Sequence, residues 1–481
     1  MKQLYWYWRL RKEPVPAQFD AEWYRRMYRD VAAAKMEPRL HYLRFGRQEQ
    51  RDPNPNFSAS GYLRAQAAEG EIDDPLAHYY EVGRESGFSP IPEFEGKQEF
   101  RREAPVMLVC GHQAGHELYG AERSLVDVLE GLNGVGVNVI VTLPSAVNEP
   151  YLKAVEAQAW RLVVLPYGWW RAGEPAVDAT QKNFERLLIK FTVNALLVNT
   201  LVLHEPVLAA RRLDIPVAIF VRELPVHDQA LCELLQASPE MIIRCVREWA
   251  DVIVTNSRFT AKSFSSPTTH VVPNVVDMRH FSNLSSPVGR GEPFTVIMIS
   301  SNLPKKGVED FVALARLLAP HGIQCRMFGP ENAYVAELRQ QQQTGQIPNN
   351  LIFSGYVSEP REALKQGDVL VNLSHFQESF GRTVLEAMAA GRPVVAYRWG
   401  ALPELVEHKV TGCLVPLGDV ETVAAYVRKL ERHPALRDTF GRAAQSRARE
   451  RYSRKALQEG VRKVVRDLRS RRLEHHPPGM A

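Results

Sequence analysis

The chain is short of cysteine. Five occur in 481 residues, at 110, 232, 245, 325 and 413, and no two form a C-x-x-C pair. An odd, scattered set excludes a disulfide framework and a thiolate zinc site, and is what a reducing compartment leads one to expect. Long apolar runs are also missing. None reaches the roughly 18 residues that a membrane-spanning helix needs. The opening MKQLYWYWRLRK has no apolar stretch of the signal-peptide kind, so a cytoplasmic location is expected. Neither sign of charge dominates: 60 Lys and Arg stand against 55 Asp and Glu. Nucleic acid is therefore not an expected partner. No Gly-x-Gly-x-x-Gly follows a strand-like run, which argues against a dinucleotide cofactor. No Asp-x-Asp follows one either, so neither a metal nor any other cofactor is expected.

What is present reads as globular. The hydrophobic share is 45% and the charged share 24%. The length exceeds one ordinary core and suits two large α/β domains with an extra module. At the front, residues 1–18 mix Tyr5, Trp6, Tyr7 and Trp8 with Lys2, Arg9, Arg11 and Lys12. Rings beside basic side chains suit a bilayer surface. A peripheral contact with the inner membrane face is one expectation for this tail; packing on its own protein is the other.

Residues 19–90 hold two similar units. His41-Tyr42 and Gly46-Arg47 recur as His78-Tyr79 and Gly83-Arg84, a period of about 37, and Pro38 and Pro75 keep the same offset. Apolar residues at three-to-four spacing predict short amphipathic helices in each unit. Two units are too few for a free-standing solenoid, so they are expected to pack on each other or on the rest of the protein. His41 and His78 are expected to be structural. Residues 91–104, polar and bounded by proline, read as a linker.

From 105 the pattern changes. VMLVC, VNVIVTLP, RLVVLPY, NALLVNT, PVAIFVREL and DVIVTNS read as buried parallel strands separated by helical stretches. A second series, FTVIMISS, QCRMFGP, LIFSGYV, VLVNLS and PVVAY, follows after VVPNVVD. The expected fold is α/β, with two doubly wound Rossmann-like domains at 105–285 and 286–450 behind a small, mainly helical repeat module. Residues 451–481 add a long basic helix and a tail. Open sheets of this kind bind ligands at the carboxyl ends of their strands, here expected in a cleft between the two domains.

Three stretches carry candidate chemistry. In GHQAGHELYGAERSL, a glycine loop runs into a helix near Gly120, where backbone N–H groups can face an anion; a simple turn accounts for it equally well. In SSNLPKKGVEDF, Lys306 lies just past a strand end, where it can reach a diphosphate; a solvated loop lysine is the plain alternative. In QESFGRTVLEAMAAGRPVV, Glu378 and Glu386 stand eight positions apart. Thr383-x-x-Glu386 fits a capping box, which leaves Glu378 unexplained. Carboxylates accept paired hydrogen bonds from vicinal hydroxyls, so one can hold a ribose and the other a sugar ring.

ESFGRTVLEAMAAGRPVV resembles the E-x7-E motif of retaining family 4 glycosyltransferases, which have the two-domain GT-B fold. LYGAERSL, VRELP, VTNSRFTA, VVPNVVD and PKKG follow the order seen in such enzymes, over about residues 105–470. The front repeats are similar to a module seen beside polysaccharide-synthesis transferases. The resemblance implies a nucleotide-diphosphate sugar donor held mainly by the second domain, transfer with retention, and a glycan or lipid-linked glycan acceptor, as in lipopolysaccharide or capsule synthesis. By motif position Glu386 would hold the ribose and Glu378 the transferred sugar. Ser379, Phe380, Gly381 and Thr383 would line the donor, Lys306 would stabilise the leaving diphosphate, and Gly120 would lie close to it.

Two positions depart from that pattern. Ser300-Ser301 stand where Gly-Arg is common, so Arg382 is expected to supply the missing charge. Arg222 and Glu223 follow the strand where many members carry histidine. They are candidates for contact with donor sugar or acceptor, or for a local ion pair, with His227 and Asp228 just beyond. His112, His116, Tyr119 and the Trp169-Trp170 pair are candidates for the acceptor surface, though plain packing also accounts for the tryptophans. Other readings of the chain are a non-catalytic glycan-binding or assembly protein on such a body, and a nucleotide-sugar epimerase of similar fold.

Overall fold

The structure, a computed structural model, describes residues 10, 13, 15–68, 70–112, 120–281, 284 and 291–475. Its contacts divide the chain into two compact units. One comprises Met1–Val221, Ala230–Ile253 and Arg462–Ala481; the other comprises Arg222–Gln229 and Val254–Val461.

Eight strands form the first sheet: β1 (Glu93–Glu95), β2 (Val106–Cys110), β3 (Asn138–Leu143), β4 (Arg161–Val164), β5 (Ala195–Val198), β6 (Val217–Val221), β7 (Val252–Thr255) and β8 (Thr269–Val271). Their order is β1-β4-β3-β2-β5-β6-β7-β8. β2 pairs in parallel with both β3 and β5. The chain thus winds outward from β2 in one direction and then crosses over to continue from β5. The run VMLVC is buried at every position, as a strand covered on both faces must be. Residues 91–104, expected as a linker, contain β1, a charged edge strand antiparallel to β4. Its Glu-Phe-Glu sequence is the kind that protects a sheet edge rather than a core.

The second sheet has six strands: β9 (Thr295–Ile299), β10 (Gln324–Phe328), β11 (Leu351–Gly355), β12 (Val369–Asn372), β13 (Val394–Tyr397) and β14 (Gly412–Val415). The order is β11-β10-β9-β12-β13-β14, parallel throughout. The helix Val308–Leu318 buries Phe311, Leu314, Ala315 and Leu318, an i, i+3, i+4, i+7 stripe, against this sheet. Burying each of the larger side chains stabilises the fold by roughly 1.5–3 kcal/mol. The long basic helix is present as Arg454–His475, and Leu457, Val461, Val464 and Leu468 form its buried stripe. Among the described residues no helix is long and apolar enough to cross a membrane.

The two repeats are built alike. In each, a tyrosine hydroxyl meets a histidine Nδ1: Tyr24 with His41 at 3.0 Å, Tyr62 with His78 at 2.8 Å. Each repeat then makes a π-helical turn ending in glycine, at Tyr42–Gly46 and Tyr79–Gly83. A Cβ on Gly46 would fall 2.3 Å from the Tyr24 hydroxyl, and one on Gly83 would fall 2.2 Å from that of Tyr62. The recurring His-Tyr and Gly-Arg are therefore packing signatures. The repeats lie against the first sheet's unit. Asn183 Nδ2 donates to the carbonyl of Pro55 at 3.1 Å, Ser60 Oγ accepts from the N–H of Ala146 at 2.9 Å, and Arg64 pairs with Glu156 at 2.6 Å.

Cys110, Cys325 and Cys413 are buried free thiols whose pKa values burial pushes up, to about 12 for Cys110 and about 11 for Cys413. They act as small apolar side chains, not as nucleophiles.

Candidate active site

β9 and β12 are adjacent in the second sheet, although the chain visits β10 and β11 between them. That is the sheet's crossover point, and the loops leaving the carboxyl ends of these two strands diverge from it. Such a point is where open α/β sheets take ligands. The loop after β9 carries Lys306; the loop after β12 carries Glu378.

The two loops are joined backbone to backbone. Gly307 has φ +76°, and a Cβ there would sit 1.8 Å from the carbonyl oxygen of Leu373, so only glycine permits the approach. The Lys305 carbonyl accepts from the N–H groups of His375 and Phe376, each at 3.0 Å. Lys306 Nζ then reaches Glu378 Oε1 at 2.7 Å, with both side chains about four-fifths buried. It also lies 5.2 Å from the Phe376 ring centre. The backbone of Glu378 is held by Gly400, whose φ of +56° lets it pass where a Cβ would meet the Glu378 carbonyl oxygen at 2.6 Å, and by the N–H of Ala401 at 2.9 Å.

The donor-loop residues divide by role. Ser379 Oγ accepts from Asn256 Nδ2 at 3.2 Å, and its carbonyl accepts from Thr260 Oγ1 at 3.4 Å. Phe380 is buried and stands edge-on to Tyr452, so its ring belongs to the core and only its backbone can serve a ligand. Gly381 is left-handed, at φ +96°, and caps the helix Arg382–Ala389. The capping box expected from Thr383-x-x-Glu386 does not form. The helix has already begun at Arg382, which puts Thr383 inside it, and the cap makes no side-chain hydrogen bond. Glu386 is instead buried, with Oε1 3.3 Å from Arg382 Nε. Helix capping therefore does not account for the buried position of the Glu386 carboxyl.

A network that the sequence reading missed holds the loop after β12. Asp310 Oδ2 accepts from the Tyr397 hydroxyl and lies 2.7 Å from His375 Nε2, while Trp399 Nε1 donates to the His375 carbonyl at 3.1 Å. Burial, with the Asp310 carboxylate next, pushes the Tyr397 phenol up, so it remains a donor. Asp310 and His375 are far in sequence from each other and from Tyr397 and Trp399, and only their shared position at the carboxyl edge could have linked them.

The other candidates have partners of their own. The Arg222 guanidinium bonds Asn274 Oδ1 at 2.7 Å, and the Glu223 carboxylate accepts from the Arg222 N–H at 2.9 Å. His227 stacks on Phe259. Gly120 opens the helix Gly120–Gly134, where its carbonyl accepts from Ser124 Oγ at 2.6 Å. His116 and Tyr119 lie outside the described residues. His112 Nε2 lies 3.4 Å from Glu122 Oε1. Trp170 is buried edge-on against Trp249 with its Nε1 donating to Leu201, whereas Trp169 is 44% exposed.

Residues 283–447 match the family model described as glycosyl transferases group 1. The second sheet carries a glycosyl transferases group 1 domain. Lys306, Glu378 and Glu386 all fall inside the matched segment; Gly120, Arg222 and Glu223 fall outside it. The chain is 30% identical over 178 residues to N-acetyl-alpha-D-glucosaminyl L-malate synthase of Bacillus anthracis, covering 36% of this chain and 46% of that protein. It is 26% identical over 167 residues to the lipopolysaccharide core biosynthesis glycosyltransferase LpsD of Rhizobium meliloti, covering 34% and 47%. The chain thus spans about half the length of these curated relatives. Among solved structures it superposes on Anabaena HepE, solved in complex with UDP-glucose, with a TM-score of 0.62. The identity there is 20%, over 75% of this chain and 99% of that one. That likeness shows the fold, two parallel-sheet domains of GT-B type.

Proposed function

We propose that the protein transfers a sugar from a nucleotide-diphosphate sugar to a glycan or lipid-linked glycan, with retention of anomeric configuration and without a metal, at the cytoplasmic face of the membrane. One observation carries this reading: Lys306 and Glu378 meet at the crossover of the second sheet, with Glu386 buried on the helix that follows. The relative active in lipopolysaccharide core synthesis supports the acceptor class. The fold relative solved with UDP-glucose makes UDP-sugars the first donors to test.

In this reading the difficult step is departure of the nucleotide diphosphate. Lys306 supplies positive charge to it from a preformed loop, and Arg382, at the first residue of the donor helix, adds a second cation where Ser300 and Ser301 offer none. Backbone N–H groups at the start of that helix add their dipoles. Glu378 accepts hydroxyls of the transferred sugar and Glu386 those of the ribose. A phosphate oxygen of the leaving group takes the acceptor's proton, so no separate base is required.

The test is a thermal-shift screen of UDP-, GDP- and dTDP-sugars followed by turnover with the best binder. A ligand at a hundred times its Kd stabilises by about 2.7 kcal/mol. Acceptor-dependent transfer with retained configuration supports the proposal. Donor turnover independent of acceptor points to an epimerase, and glycan binding without turnover to an assembly protein. Arg382→Ala with undiminished donor binding and turnover removes that residue from the account.

A further inference from the structure

A cavity of about 340 Å³ opens at the carboxyl edge of the first sheet. Its walls come from two parts of the chain that are distant in sequence. Trp23, Arg26, Met27 and Arg29 come from the first repeat; Tyr167, Trp169 and Arg171 follow β4, and Glu205 lies beyond β5. The repeat is seated closely. A Cβ on Gly168 would be 2.9 Å from Met27 Sδ, so the glycine lets the repeat's wall approach the sheet's.

The polar lining is short of partners. Glu205 is only 6% exposed. One carboxylate oxygen accepts from the N–H of Val177 at 3.2 Å, and among the described residues the other has no hydrogen-bond partner. Arg171 Nε is also buried with none. Buried polar atoms left this way are costly unless a ligand or water completes them. Charge is unbalanced as well: Arg26, Arg29 and Arg171 all converge on Glu174, at 2.8, 3.3 and 3.5 Å. Even with Glu205, which Arg26 also faces, two carboxyl groups stand against three guanidinium groups, and such planar forks suit carboxylate or phosphate. Beside them stands Trp169, 44% exposed, while its neighbour Trp170 is fixed in the core. An exposed indole face among hydrogen-bonding groups is suited to stacking on a sugar ring.

We propose that this cavity binds a saccharide bearing an anionic group, with Trp169 against the ring, the arginine cluster on the anion and Glu205 on a hydroxyl. The front repeats are then one wall of a binding site. That the bound saccharide is the acceptor chain rests on the transferase reading; that the cavity binds it does not.

The experiment is calorimetric titration of the full chain with three probes: a glucuronate-containing disaccharide, glucose 6-phosphate and neutral lactose. Binding of either anionic probe at least tenfold tighter than lactose is expected, and the two arms separate a uronate from a sugar phosphate. Trp169→Ala and Arg29→Ala, at partly exposed side chains, are each expected to weaken that binding at least tenfold while retaining the wild-type circular dichroism spectrum. No binding of any probe, equal binding of lactose, or unchanged binding in both variants overturns the proposal. Donor-induced thermal shift is measured on the same samples. If donors stabilise the protein and the saccharide probes fail, the cavity proposal falls alone. If saccharides bind and no donor does, the cavity stands and the transferase reading falls.

Discussion

In the second sheet's unit, Lys306 faces Glu378 at 2.7 Å and Arg382 faces Glu386 at 3.3 Å. In the first sheet's unit, three arginines crowd Glu174, and Glu205 stands buried in the same cavity wall. The first arrangement sets cation against carboxylate, Lys306 and Glu378 on two loops joined by backbone contacts and Arg382 and Glu386 one turn apart on a helix. A ligand there must exchange one set of bonds for another, which favours orientation and selective stabilisation of a developing charge. The second arrangement holds guanidinium groups in excess of carboxyl groups, which favours binding of an anion. The two units thus differ in how their cations and carboxylates are matched.

The sharpest way to break the comparison is at Lys306. Lys306→Ala is expected to lower kcat by roughly 10² to 10³, the scale of one lost transition-state donor, with a much smaller change in acceptor KM; initial rates with the best donor check it. Glu386→Gln is expected to weaken donor binding by about tenfold to a hundredfold, the value of a charged hydrogen bond pair of roughly 1.5–3 kcal/mol. Repeating the titration with a deoxyribose donor should show a much smaller loss if the carboxylate holds the ribose.

Changes in the first unit should act on stability before chemistry. Gly46→Ala pushes a methyl group onto the buried Tyr24 hydroxyl and is expected to cost about 1–3 kcal/mol, read as a lower Tm with the donor-induced shift retained. The smallest effect is at Glu205. Burial raises its pKa, against weaker lowering by the Val177 N–H and by Arg26. A raised carboxyl contributes stability below its ordinary value of 4.5 and loses it as pH rises through the folded value. Glu205→Gln should therefore gain Tm relative to the parent as pH rises above 4.5. A Tm difference that is flat across that range would show that the carboxyl is not strained.

Much of this molecule was readable as sequence, for physical reasons. β2–β7 and β9–β13 were read as buried parallel strands, most of them from short apolar runs rich in β-branched residues, although β10 (Gln-Cys-Arg-Met-Phe) has none. β1, β8 and β14 were missed because Glu-Phe-Glu, Thr-His-Val and Gly-Cys-Leu-Val are short edge segments without a full pattern. The spacing of Glu378 and Glu386 drew attention to the loop after β12 and the helix that follows it. The capping box misread one detail, because Gly381 adopts a left-handed conformation and starts the helix one residue before Thr383. The His-Tyr repeat marked the period, but the tyrosine–histidine hydrogen bonds behind it could not be seen without coordinates. Nor could the cavity. Trp169 was visible as an odd aromatic, whereas its arginine neighbours from residues 26 and 29 arrive only through the packing of the repeat.

The central claim is that Glu378 and Glu386 grip the hydroxyls of an activated sugar. Its most direct test is the initial rate of transfer by the Glu378→Gln, Glu386→Gln double variant, compared with the parent protein at saturating donor. The account predicts a rate below about one hundredth of the parent's, on the scale of two lost charge-assisted contacts, with the circular dichroism spectrum unchanged. A folded double variant that transfers sugar at the parental rate would contradict it.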